Sequence, residues 1–152
     1  MANKYGNARI RRKGKRFDSG IEMLRYDFLC KQEKKGIISD LRCQVKFELM
    51  PTLYASPDGE ELSVKKVTRE WQLAEHGISY IADFTYRHNG VEVAEDVKGY
   101  RTDVYIIKRK LMLYYYGIAI HEVEAAADPL GGKPGKAICV ELNVERKNPP
   151  QL

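Results

Sequence analysis

The 152-residue chain is short of cysteine, histidine and tryptophan, and it has no long apolar run. Each shortage excludes something. The three cysteines, Cys30, Cys43 and Cys139, are odd in number and far apart, which argues for free thiols in a reducing cytosol rather than a disulfide framework. They contain no C-x-x-C pair, and His76, His88 and His121 are scattered, so no zinc-binding pattern forms. No stretch is apolar for long enough to cross a bilayer, and no apolar signal segment follows the basic N-terminus. A membrane role is therefore not expected.

Positive charge, by contrast, is in excess. The formal net charge is +5, and it is unevenly placed. Arg9, Arg11, Arg12, Lys13, Lys15 and Arg16 crowd into one short stretch, and Lys108-Arg109-Lys110 form a second cluster. Basic clusters on a folded domain suit a polyanion, most often nucleic acid, although a solvated basic face or tail has the same composition. With 43% hydrophobic residues, the chain can bury the core of one domain.

Periodicity divides the chain into a basic N-terminal arm (1–16), a core (17–123) with a peripheral insertion around 52–77, and a C-terminal extension (124–152). "FDSGIEMLRYDFLCKQEKKG" reads as a helix with Ile21, Leu24 and Phe28 on its apolar face and Gly36 as its stop. "CQVKFEL" alternates as a strand. "LSVKKVTREWQLAEHG" fits a strand, a short helix, or both. "TDVYIIKRKLMLYYYG" is a second helix, capped by Thr102 or Asp103, stopped by Gly117 and striped by Val104, Ile107 and Leu111. "IAIHEV" and, after the loop "DPLGGKPG", "AICVELNV" are further strands. The order of elements predicts an α/β fold around a mixed sheet, because a helical crossover normally returns its strand parallel.

The informative stretch is "ADFTYRHNGVEVAEDVKGY", Ala82 to Tyr100. Asn-Gly is the strongest short signal for a two-residue hairpin turn. Counting outward from Asn89-Gly90 pairs His88 with Val91 and brings Asp83 opposite Asp96. Opposed residues have Cβ atoms about 4.5–5.5 Å apart, and like charges there destabilise a sheet. A divalent cation between the carboxylates would resolve the conflict, since hard cations choose carboxylate oxygens. Lys98 shares a face with Asp96. Tyr80, Ala82, Phe84, Tyr86, Val93 and Val97 would form the opposite, core face, interrupted by Glu95. A three-residue turn would instead set Asp83 against Glu95. A lone D-x-K is a weak signal and is commonly a surface ion contact.

Asp83 followed by Asp96-Val97-Lys98 resembles the PD-(D/E)XK nuclease superfamily, whose pattern is an Asp on one strand and Asp or Glu, any residue, then Lys on the next. Ala82 stands where a proline often precedes the first Asp. "FDSGIEMLRY", "YIADFTY", "EDVKGY" and "TDVYIIKRKLML" further resemble a family of small phage-encoded proteins placed in that superfamily, similar to Holliday-junction resolvases. The likeness spans Lys4 to Val123.

That resemblance implies a single-domain, restriction-endonuclease-like core of helix, mixed β-sheet and helix. It implies a metal-dependent endonuclease acting on branched DNA in the cytosol of a bacterial host. The cofactor would be Mg²⁺, with Mn²⁺ as substitute. Asp83, Asp96 and the carbonyl of Val97 would be the metal ligands, and Lys98 the catalytic lysine. Glu22 matches a helix Glu that reaches the metal in resolvase-like members. Ser19-x-x-Glu22 is also a capping box, so Glu22 has a purely structural reading beside the catalytic one. Tyr105 and Lys108, one turn apart, would contact the DNA backbone or support the site; packing and a solvated charge are the plain alternatives. The basic arm would hold phosphates. Symmetric junction cleavage would require a homodimer. A structure-indifferent duplex nuclease, or a DNA-binding protein that keeps the fold without turnover, are the competing readings.

Overall fold

The computed structural model describes residues 10–12, 14–98 and 100–124. Arg9, Lys13 and the "AICVELNV" strand expected from the sequence lie outside the described residues, as do the side chains of Arg11, Arg12 and Lys98.

A short hairpin, β1 (Ile10–Arg12) and β2 (Lys15–Phe17), leads into helix α1 (Gly20–Lys34). Ser19 caps α1: its Oγ accepts the Glu22 N–H at 3.2 Å, while Glu22 Oε2 accepts the Asp18 N–H at 3.1 Å. The first bond satisfies a donor that the helix N-terminus otherwise leaves unpaired, and the second ties Glu22 back to the residue before the cap. Gly36 ends the helix with φ +72°, a left-handed conformation that glycine adopts without steric cost. Arg25, Tyr26 and Leu29 are the buried residues of α1; of the Ile21, Leu24 and Phe28 stripe expected from spacing, Phe28 packs half-buried against that cluster, and Ile21 and Leu24 are not part of it.

The main sheet contains β3 (Ile38–Met50), β7 (Ile78–His88), β8 (Val91–Lys98) and β9 (His121–Glu124), in the order β3-β7-β8-β9. β3, β7 and β8 pair antiparallel. β9 returns parallel to β8 after helix α2 (Asp103–Tyr116), as a helical crossover requires. The fold is thus mixed α/β. Thr102 caps α2 and Gly117, at φ +64°, stops it. Between β3 and β7 the chain builds a separate three-stranded sheet: β4 (Leu53–Ala55), β5 (Leu62–Ser63) and β6 (Gln72–Glu75). No helix forms there. Gly77 closes the neck of this excursion, where a Cβ would come within 2.9 Å of the Met50 carbonyl.

Two apolar clusters cover the main sheet. One gathers Phe17, Tyr26, Leu29, Ile38, Phe84, Tyr86 and Val93 with α1. The other gathers Phe47, Leu49, Tyr80, Ala82, Ala94 and Ile120 with Tyr105 and Met112 of α2. The expected single core face of the hairpin is therefore divided. Along β7, Tyr80 and Ala82 belong to the α2 cluster and Phe84 and Tyr86 to the α1 cluster, although all four have the same parity. β3 divides in the same way, with Cys43 beside α1 and Val45, Phe47 and Leu49 beside α2.

The exchange falls at Gln44 on β3 and Asp83 on β7. The ladder passes from Cys43↔Phe84 to Val45↔Ala82 over Gln44, whose backbone takes a left-handed φ of 54°. That conformation costs a non-glycine residue about 1–3 kcal/mol. It re-aims the side chains that follow, as strand irregularities beside functional sites commonly do.

Helix α2 corrects a second expectation. Of the expected stripe, Val104 and Ile107 are 62% and 57% exposed and Leu111 packs half-buried against the core, while Tyr105 and Met112 turn fully inward.

Candidate active site

The Asn89-Gly90 turn sets the hairpin register as expected, with His88↔Val91 through Phe84↔Glu95 in one unbroken ladder. The pairing ends at Phe84 and Glu95, one step before Asp83 and Asp96. From Glu95 onward β8 pairs with β9 instead. The two strands of the hairpin part where the aspartates stand, and the expected direct Asp83–Asp96 ladder pair is replaced by an opening.

The Asp83 carboxyl fills that opening. Its Oδ2 accepts the backbone N–H of Val97 at 2.8 Å, a donor released by the end of the ladder. Its Oδ1 accepts Gln44 Nε2 at 3.2 Å. The Asp96 carboxyl stands close enough for its charge to act on it. Burial, and next the charge of Asp96, push Asp83 up to about 8, with the Val97 N–H pulling the other way and the charge of Glu22 adding to the rise. The pair thus retains a proton near neutral pH.

Asp96 is 4% exposed, and its Oδ2 accepts the Tyr80 hydroxyl at 2.6 Å. Burial and the Asp96 charge drive the Tyr80 hydroxyl far above its ordinary pKa, so it remains a donor at any working pH. Tyr80 reaches Asp96 because the exchange at Gln44 and Asp83 turned it toward α2. Strict alternation assigns it to the other face, which is why the sequence does not reveal it. Gln44 has only a weak sequence signal, since its strand parity does not settle its position.

A cavity of about 380 Å³ opens over the pair, lined by Tyr80, Asp83, Asp96, Thr102, Tyr105 and Lys108. Ile81 and Val104 also line it and are exposed. The structure thus brings Asp83, Asp96, Tyr105 and Lys108 to one place, with α2 supplying the last two. Tyr105 is buried, and its hydroxyl donates to Glu122 Oε1 at 2.8 Å. Glu122 also receives Arg109 Nη1 at 2.8 Å and Arg101 Nε at 2.5 Å. Although burial opposes it, these donors hold the Glu122 carboxyl below its ordinary pKa. The Lys108-Arg109-Lys110 cluster is accordingly dispersed: Lys108 faces the cavity, Arg109 the Glu122 carboxylate, and Lys110 solvent.

Glu22 adopts its capping geometry and is near enough for its charge to act on Asp83. Glu95, on the far side of β8, is fully buried and pairs bidentately with Arg25, at 2.6 Å to Nε and 2.9 Å to Nη2; Tyr86 donates to it at 2.8 Å. This pair ties α1, three residues beyond Glu22, to β8 one residue before Asp96. Lys15 turns inward: its Nζ lies 3.4 Å from Cys43 Sγ and 5.1 Å from the centre of the Tyr26 ring. Arg16 is exposed.

Whether these residues suit a cation can be judged from their donors. Two neighbouring carboxyls, with Asp83 protonated near neutral pH, present hard oxygen ligands to the cavity, and a divalent ion could take the proton's place. In an extended strand the N–H and C=O of one residue point to the same side, so the Val97 carbonyl faces the opening with its N–H. Among the described residues, no three His, Cys, Asp or Glu side chains converge as a ready-made cage. A cation here would take two carboxylates and complete its shell from carbonyl, water or substrate oxygen, which suits Mg²⁺ or Mn²⁺.

The profile of a protein family described as a protein of unknown function (DUF1064) matches residues 2–124, well over half of the chain. The chain belongs to this family. The DUF1064 match ends at the last residue of β9 and takes in both helices, the main sheet and the three-stranded excursion. No curated protein and no solved structure matches. Among the described residues, no helix is long and apolar enough to cross a membrane.

Proposed function

We propose that this DUF1064 chain is a Mg²⁺-dependent endonuclease that hydrolyses phosphodiester bonds in DNA, with branched DNA as its substrate. The supporting observation is the Asp83–Asp96 pair, brought together on one cavity at the opening between β7 and β8 with the Val97 N–H on Asp83. A binding surface for DNA has no use for juxtaposed carboxylates, which repel phosphate. A phosphodiesterase that recruits a cation does.

Asp83, Asp96 and the Val97 carbonyl would hold the ion, which when bound supplies positive charge to the scissile phosphate and lowers the pKa of water. The chain's own residues do the rest. Lys108 at the cavity wall and the N-terminal end of α2 beside Thr102 favour a phosphate there. Lys98, two residues beyond Asp96 on β8, is the residue assigned to stabilise charge on the phosphate. Arg11, Arg12, Lys13 and Arg16 add affinity along the backbone, and paired cuts across a junction call for a two-fold dimer.

The test uses labelled four-way junction, flap, duplex and single-stranded DNA, each with Mg²⁺, Mn²⁺ or chelator. Cleavage of the junction or flap that requires the cation is the expected result. Tight binding without turnover in either metal would replace the proposal with a binding-only role, and equal cleavage of plain duplex would remove the branched-DNA specificity.

A further inference from the structure

Tyr80 is almost wholly buried in the α2 cluster, 4% exposed, beside Phe47 across the β3–β7 ladder and with its ring centre 6.4 Å from that of Tyr105. Packing alone would be served by phenylalanine. A buried hydroxyl without a partner loses its hydrogen bond to water and gains nothing in return. Here the partner is Asp96 Oδ2 at 2.6 Å, at the short end of the O–H···O hydrogen-bond range.

A second tyrosine on the same strand makes a similar bond to the neighbouring carboxylate. Tyr86 donates to Glu95 Oε2 at 2.8 Å, but that carboxylate is bound bidentately by Arg25 in the α1 cluster. The two tyrosines therefore use the same chemistry on opposite sides of β8. One serves a buried ion pair. The other serves a carboxyl that lines the cavity.

We propose that Tyr80 is a positioning residue for the candidate site: its hydroxyl grips one oxygen of Asp96 and sets the plane of that carboxyl before a divalent cation arrives. The inference rests on the reading of Asp83 and Asp96 as cation ligands. Asp83 is held by Val97 N–H and Gln44 Nε2, so both carboxyls meet the cation already oriented by protein donors. Partners that orient a metal ligand typically carry a 10–100-fold effect on metal affinity when removed.

The test is Mn²⁺ binding followed by electron paramagnetic resonance, with thermal midpoints, for the parent, Tyr80→Phe and Tyr86→Phe. Tyr80→Phe should keep its fold and weaken Mn²⁺ about 10–100-fold. Tyr86→Phe should lower the thermal midpoint and bind Mn²⁺ as the parent does. 4-Aminophenylalanine at position 80, which restores a donor to the ring, should recover most of the affinity and gives a folded comparison should Tyr80→Phe unfold. Parental affinity in Tyr80→Phe would overturn the inference, and so would an equal loss in both phenylalanine variants. A parent that binds no Mn²⁺ would instead remove the cation site itself, before any variant is compared.

Discussion

The backbone N–H of Val97 donates to Asp83 Oδ2 at 2.8 Å, across the point where β7 and β8 cease to pair. A ladder donor has been surrendered to a side chain, and the carboxyl that takes it is held between the strands. Asp83→Asn preserves the shape and can still accept that N–H, but it removes a charge-bearing ligand. Cleavage by Asp83→Asn, and likewise by Asp96→Asn, should fall below detection while DNA binding stays equal or improves. Single-turnover cleavage and a binding isotherm on the same substrate check this; parental cleavage by either variant would exclude that residue from the chemistry.

The same pair predicts a pH dependence of stability. Asp83 titrates near 8 in the folded chain and near 4 in the unfolded one, so between those values the folded state holds the extra proton. Its stabilising contribution is complete below about pH 4 and is lost as pH rises toward 8. Thermal midpoints of the parent should therefore fall between pH 5 and pH 8.5 more steeply than those of Asp83→Asn. Excess Mn²⁺ should flatten the parental curve. Parallel curves for parent and variant would show that Asp83 ionises normally.

Glu22 both caps α1 and bears on Asp83, and two substitutions separate these duties. As a cap alone, Glu22→Gln is nearly silent and Glu22→Ala costs about 0.5–2 kcal/mol, with cleavage intact. The expected outcome is a Glu22→Gln protein with a parental midpoint and strongly reduced cleavage, because an amide brings no charge to the site. A stable Glu22→Gln that cuts at the parental rate would leave Glu22 a cap.

Lys15 should behave differently from the rest of the basic run. Replacing Arg11, Arg12 and Lys13 with Ala should reduce the salt slope of DNA binding by about 0.9 for every phosphate that is no longer neutralised, with little change in turnover at saturating DNA. Lys15→Ala should act differently, lowering the thermal midpoint more than the slope, because Lys15 packs against Tyr26 and Cys43. A slope unmoved by the triple substitution would detach the arm from DNA.

Glu95 gives the largest stability prediction. Either Arg25→Met or Glu95→Gln leaves a fully buried charge without its partner, and each should cost about 3–5 kcal/mol by denaturant unfolding. Combining Arg25→Met, Tyr86→Phe and Glu95→Leu removes the ion pair together with the tyrosine hydroxyl on it and should cost less than either single change. Additive losses would mean that the network contributes to stability in its own right.

The hairpin was legible because Asn-Gly dictates its register, and with it the approach of Asp83 to Asp96. Helix α2 was legible from Thr102 and Gly117, residues whose local chemistry starts and stops a helix wherever it packs. Burial was less so. Spacing marks Val104 and Ile107 as the inner stripe of α2, yet they are exposed, since the sheet beneath takes Tyr105 and Met112 instead. Tyr80 was hidden by a strand irregularity: the left-handed turn at Gln44 breaks the parity on which any alternation rule depends. Arg25 reads as a surface charge until Glu95, seventy residues away in sequence, is placed against it.

β8 must find two partners at very different distances along the chain. β7 lies across a two-residue turn, whereas β9 arrives only after a whole helix has formed and crossed over. Local pairings close early and distant ones late, because chain entropy must be overcome before a distant contact forms. The half of β8 up to Glu95 should therefore be ordered in the folding transition state and the half from Asp96 onward unordered, with φ-values high at Thr85 and Val93 and low at Val97 and Val123. The aspartates would then be brought together in the last step of folding, so the repulsion they develop once the proton is lost, above about pH 8, would speed unfolding of the finished protein without slowing the search that produces it.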